Sequence, residues 1–191
     1  MGLEEKYIGR VYRVLRRCLS CFKSFSIDKR PDEPYLKLSN LSGVHYYPGT
    51  DHFLVGTDVC EQPFWKGDLS EEDLIIHATF YSAVESMRYL YDLAHPNSLD
   101  NFLDRKVQIG ADIAATTAAL GFICNEGSLK QVRERLGFRG YQGQIHKISL
   151  QLQKKGQPSQ LAKAAPSELG PIVDSILGDG HFKKYLQKVR S

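Results

Sequence analysis

The chain has 191 residues, of which 42% are hydrophobic and 25% charged, and a formal net charge of +3. This length fits one domain, or a domain with an appendage, and is enough to bury a core without disulfide or metal staples. The ordinary apolar content excludes wholesale disorder.

Charge is spread unevenly. Basic blocks at residues 1–30 and 106–165 flank an acidic stretch from 31 to 105. Such asymmetry points to partners, or to neutralisation within the fold or an oligomer, rather than to a fold class. The first thirty residues hold many charges and no secretory-type apolar run. Cys18, Cys21, Cys60 and Cys124 are therefore expected to be reduced and the chain intracellular. The most apolar stretch, Ile113 to Cys124, is about half a bilayer span, so no transmembrane helix is expected.

In chain order, residues 3–24 read as a helix. Ile8, Val11, Leu15, Leu19 and Phe22 recur at steps of three and four, with Arg10, Arg13, Arg16 and Arg17 on the other side. Ser24 to Pro34 is a polar linker ending in two prolines, which disfavour helix. Residues 35–60 look like β structure. Gly43–Tyr47 and His52–Val55 are strand-like runs, and Pro48-Gly49-Thr50-Asp51 supplies the turn chemistry of a hairpin.

Helical patterning dominates from residue 70. Ser70-Glu71-Glu72-Asp73 resembles a capping box, followed by Ile76, Phe80, Val84, Met87 and Tyr91 at helical spacing as far as His95-Pro96. A short helix is expected from about 98 to 103. Another is expected over 106–124, with a small-residue face of Ala111, Ala114, Ala115, Ala118 and Ala119. Ser128–Leu136 and Gln142–Lys154 form two shorter helices, Gly156–Pro166 a flexible stretch, and Glu168–Leu177 and His181–Val189 two final helices. The expected fold is α+β and predominantly α. A basic N-terminal segment (1–30) joins a mostly helical body (35–191) that carries a small antiparallel hairpin near 43–58.

Four constellations could carry function. The N-terminal helix combines arginines with an apolar stripe, the layout of a helix lying in a membrane interface. Arg10, Arg13, Arg16, Arg17, Leu15, Leu19 and Phe22 would make the contact, and Cys18 and Cys21 could take an acyl chain. Gly2 raises N-myristoylation, but Lys6 stands where Ser or Thr is wanted. An ordinary core helix with a solvated basic face explains the same letters. Glu4 and Glu5 argue against a mitochondrial presequence. The membrane reading requires Ile8, Val11, Leu15 and Leu19 to be free to meet lipid.

The 128–155 region looks like a helix-turn-helix, with His146, Lys147, Gln151, Lys154 and Lys155 turned outward to nucleic acid. Two surface helices with basic faces are the plainer alternative. The hairpin offers His45, Asp51, His52, Asp58 and Cys60 beside Tyr46 and Tyr47, residue types suited to acid–base or metal chemistry if they converge. Near the C-terminus, Ile176-Leu177-Gly178-Asp179-Gly180-His181 resembles the helix-plus-acid segment of LAGLIDADG homing endonucleases, where the Asp binds a divalent ion. A helix C-cap at Gly178 accounts for the same residues, so Asp179 is not carried over as a ligand.

Cys18 and Cys21 lack a second ligand pair at zinc spacing, and no Gly-x-Ser-x-Gly, His-Glu-x-x-His, Walker-type or Gly-x-Gly-x-x-Gly fingerprint occurs. Neither a metal nor a cofactor is expected. Taken together, the sequence points to a non-enzymatic scaffold or adaptor on the cytoplasmic face of a membrane. Its expected partners are an anionic membrane surface and proteins, in an oligomer. Nucleic-acid binding through 128–155 is the alternative, and an enzyme centred on the hairpin the third reading.

Overall fold

The first helix, α1 (Leu3–Cys21), places Tyr7, Val11, Val14, Leu15, Cys18 and Leu19 at steps of three and four, and all six are buried. They pack on α2 (Glu71–Ala94), so α1 belongs to the main core. The computed structural model describes residues 2–21, 35–41, 43–60, 70–96, 104–125, 130–132, 136, 140–155 and 158–190. The expected Pro-rich linker, the helix near 98–103 and most of the helix at 128–136 lie outside the described residues, as does Phe22.

Strands β1 (Tyr35–Leu38), β2 (Gly43–Tyr46) and β3 (His52–Gly56) form one mixed sheet in the order β1-β3-β2. The hairpin β2–β3 pairs antiparallel, with Val44 opposite Val55 and Tyr46 opposite Phe53. β1 adds a parallel strand along β3 that hydrophobic alternation alone did not single out. Gly49 adopts φ 79° in the connecting turn, where Thr50 N–H bonds the Tyr47 carbonyl. Proline followed by a positive-φ glycine is the sequence of a type II turn. At the other end of β3, a Cβ on Gly56 would overlap the Leu41 carbonyl oxygen, so only glycine fits there.

Helix α2 starts at a capping box. Ser70 Oγ accepts the Asp73 N–H (3.1 Å), and the Asp73 carboxylate accepts the Ser70 N–H (3.2 Å). This satisfies two donors that the first helical turn leaves without partners. Three neighbours cover α2: α1, the strand β2 and α3 (Arg105–Asn125). On the sheet side Tyr46, Phe53 and Tyr89 cluster with ring centroids 5.1 to 6.0 Å apart.

The alanine face of α3 is fully buried, as small residues at helical spacing allow close helix approach. Val107–Cys124 within α3 is long and apolar enough to cross a membrane by length and composition, and 67% of it is buried inside the protein. Helix α4 (Gly140–Lys154) lies on α3 through Ile145, Ile148 and Leu152.

Residues 156–166, expected to be flexible, instead contain α5 (Pro158–Lys163). Leu161 and Ala162 of this helix are buried, and the Tyr91 hydroxyl donates to the Ala164 carbonyl just beyond it (2.9 Å). Apolar residues within a polar stretch fix this segment. The chain ends in α6 (Leu169–Leu177) and α7 (His181–Arg190). Gly178 caps α6 at φ 110°, and its N–H bonds the Asp174 carbonyl, so the Gly-Asp-Gly sequence is used as a helix stop.

Candidate ligand-binding cavity

One face of α2 carries His77, Tyr81, Glu85, Arg88 and Asp92 at successive steps of four, four, three and four, which stacks their side chains down the helix. Because α2 is covered by three neighbours, much of this polar stripe is taken out of bulk water. At its lower end the Arg88 side chain is 13% exposed and that of Asp92 1%. Arg88 Nη1 donates to Asp112 Oδ1 on α3 (2.8 Å) and to the Gln108 carbonyl (3.2 Å), while its Nε lies 3.5 Å from Asp92 Oδ1. Burial works against the guanidinium charge, but Asp112, Asp92 and Glu85 outweigh it and hold Arg88 more firmly protonated than usual.

At the upper end the His77 Nδ1 and the Tyr7 hydroxyl of α1 are 3.1 Å apart, and the His77 ring stacks 4.4 Å from Tyr81. Burial, with a smaller push from His45, lowers His77 to about 3, so it is neutral across the physiological range. Tyr81 donates its hydroxyl to Gln142 Oε1 on α4 (2.9 Å).

Between these ends Glu85 faces a cavity of about 150 Å³ bounded by α2, α3 and α4. Phe80, Tyr81, Val84 and Ile145 supply apolar and aromatic walls, while Glu85, Asp112, Thr116, Gln142 and His146 supply polar ones. Glu85 Oε2 accepts the backbone N–H of Tyr46 (2.7 Å). Burial is the main force raising the Glu85 carboxyl to about 8. Asp112 and Asp92 add to it, and the Tyr46 N–H and Arg88 work against it. At neutral pH Glu85 is therefore largely a carboxylic acid, able to donate as well as accept a hydrogen bond. Among the described residues no lysine or arginine lines the cavity.

The residues expected to act at a membrane are divided between two sides of α1. Leu15, Leu19 and Cys18 lie in the core with Val11, and Ile8 packs against it, so this stripe is not free to meet lipid. The physical reason is that α2 offers a complementary apolar face, and burial there satisfies the stripe. Arg10 is half-buried, with its Nε donating to Thr79 Oγ1 (3.0 Å). Arg13, Arg16 and Arg17 are exposed, and Arg17 sits 5.8 Å above the Phe122 ring. The side chain of Cys21 lies outside the described residues.

On α4, Lys147, Gln151, Lys154 and Lys155 are exposed as expected. His146 is not: it points inward, edge-on to Phe80 (5.8 Å), and lines the cavity, because it falls one position from Ile145 on the buried side. The hairpin residues do not converge. His45, Asp51 and Asp58 are exposed, His52 and Cys60 are half-buried, and the His52 and Asp51 side chains approach to 3.7 Å. Strand alternation puts His45 and His52 on the face opposite Val44, Tyr46 and Phe53, which excludes them from the interior. Among the described residues no group of three or more His, Cys, Asp or Glu side chains is placed to hold a metal ion.

The stripe on α2 is what the sequence reading missed. The apolar series Ile76, Phe80, Val84, Met87 and Tyr91 runs next to it, and the titratable series is visible at the same spacing. A helix carrying both series has two faces to bury. The fold and cavity together define an α+β protein, mostly α, with a small acid-lined pocket. The chain matches no family model, and no curated protein or solved structure matches it.

Proposed function

We propose that the chain is a ligand-binding protein whose cavity between α2, α3 and α4 receives a small molecule. The observation that carries this reading is the cavity itself. It sets a protonated Glu85 and a partly exposed Asp112 opposite aromatic walls. Binding sites commonly pair apolar walls with a few convergent polar groups whose pKa values are displaced. A volume of about 150 Å³ suits a molecule of only a few heavy atoms, since each liquid water occupies roughly 30 Å³.

The test is a fragment titration of the full chain followed by amide and side-chain NMR. Fragments of up to about six heavy atoms should perturb Thr116, Gln142 and Ile145 together. A Val84→Phe variant, which fills the cavity, should abolish the response while leaving the rest of the spectrum in place. Perturbations confined to surface residues would refute the reading.

The exposed Arg13, Arg16 and Arg17 on the outer face of α1 favour a second reading, a scaffold or adaptor that rests peripherally on an anionic membrane surface. With the apolar stripe of α1 in the core, the attraction would be electrostatic alone, about 1 kcal/mol per basic residue close to the surface. Sedimentation with phosphatidylserine vesicles should then fall steeply with salt and vanish in the Arg13→Glu, Arg16→Glu, Arg17→Glu triple variant. Binding insensitive to both changes would contradict it.

A further inference from the structure

Resting on the cavity reading, we infer that the ligand is a small neutral carbonyl compound. Its oxygen accepts hydrogen bonds from Glu85, Gln142 and Thr116, and its alkyl groups lie against Phe80, Val84 and Ile145. Protein neighbours decide which end of each polar group is left to a ligand. Glu85 Oε2 accepts the Tyr46 N–H (2.7 Å), so the proton of the neutral acid belongs on Oε1, the other oxygen. Gln142 Oε1 accepts the Tyr81 hydroxyl (2.9 Å), so the end that remains is the amide NH2 group, a donor only. Thr117 turns its hydroxyl onto the Ile113 carbonyl (2.6 Å), whereas Thr116, only 4% exposed, lines the cavity. The Thr116 hydroxyl donates or accepts. Two fixed donors and one adaptable hydroxyl, on the wall of a single cavity of about 150 Å³, match an acceptor oxygen.

Two protonation states support these roles. Burial holds Glu85 as the neutral acid up to about pH 8, and pushes Tyr81 up to about 12, so the tyrosine keeps the proton it gives to Gln142. A carbonyl oxygen has two lone pairs and brings no charge into the interior, where an unpaired charge is costly. A ligand with no acceptor would leave the Glu85 and Gln142 donors unmet, which burial penalises. Phe80, Val84 and Ile145 supply the apolar surface that short alkyl groups require.

Binding depends on the Glu85 proton without releasing it. Above about pH 8 the acid ionises, Oε1 changes from donor to acceptor, and it repels the carbonyl oxygen. Among the described residues, the groups facing Glu85 are Tyr81, Arg88 and Asp92 on α2, Asp112 on α3, His146 on α4 and Tyr46 of β2.

The experiment is calorimetric titration of the full chain with dimethylacetamide, the cation isobutylammonium and the anion isobutyrate, from pH 6 to pH 9.5. Dimethylacetamide, an acceptor without a donor, should bind at least about tenfold more tightly than either ion. Its affinity should be flat up to roughly pH 8 and fall about tenfold per pH unit above it. Glu85→Gln keeps a neutral donor, so it should retain binding within about threefold and remove the pH dependence. Thr116→Val should lose about fivefold at every pH. Equal or tighter binding of either ion would overturn the carbonyl assignment and leave the cavity reading intact. So would dimethylacetamide binding that is independent of pH in the unaltered chain. Failure of all three probes would do the same if other fragments still perturb Thr116, Gln142 and Ile145. If no fragment perturbs them, both readings fall.

Discussion

At the scale of single residues, two buried titratable groups set opposing pH dependences. Glu85 rises from its ordinary 4.5 to about 8. Between those values the folded protein holds a proton that the unfolded chain has released, so stability falls as pH climbs through the window. His77 drops from 6.5 to about 3, so the unfolded chain takes up a proton that the fold refuses, and stability falls as pH descends from 6.5 toward 3. From 4.5 to 6.5 the two slopes cancel. Urea unfolding should therefore give a plateau there, an alkaline decline up to about pH 8 removed by Glu85→Gln, and an acid decline removed by His77→Gln. Arg88 makes a second case. Replacing it with Met removes the cation beside Asp92 and Asp112 and should cost about 3–5 kcal/mol, as breaking buried ion pairs does. Adding Asp92→Leu should recover part of that loss, because it removes the more deeply buried of the two carboxylates.

At the scale of elements, α1 decides between an appendage and a structural part. Leu15→Ala and Leu19→Ala should each cost about 2–5 kcal/mol in equilibrium unfolding, the range for leucines truncated in a core. Arg16→Ala should change stability little. The sequence already carried two readings of this helix, because periodicity reveals an apolar face without saying what covers it. Where local chemistry is self-sufficient, the letters were legible. The Ser70–Asp73 capping box, the Pro48-Gly49 turn and the alanine face of α3 all depend on neighbours a few residues away or on size alone. Residues 35–60 read as β structure, but the parallel pairing of β1 to β3 was not legible, nor was helix α5, which is fixed by burying Leu161 and Ala162 against distant helices.

Across the whole molecule, the cavity arises from three helices that are far apart in the chain, and no local motif announces it. Glu85, Asp112 and His146 are each unremarkable in sequence. Their meaning comes from α2 lying centrally, so that its titratable face is covered by α1, β2 and α3, with α4 closing the far wall of the cavity. The uneven charge along the chain has a similar explanation in part. The acidic middle supplies Glu85 and Asp92 to the interior, and Asp112 joins them from the basic block, while exposed basic groups remain on α1 and α4.

The most direct test is the carboxyl ¹³C titration of Glu85 in the full chain by NMR. The account requires a midpoint near 8, displaced when a small fragment fills the cavity. A midpoint in the ordinary carboxylate range, unmoved by any fragment, would mean that water reaches Glu85 freely and would contradict the account.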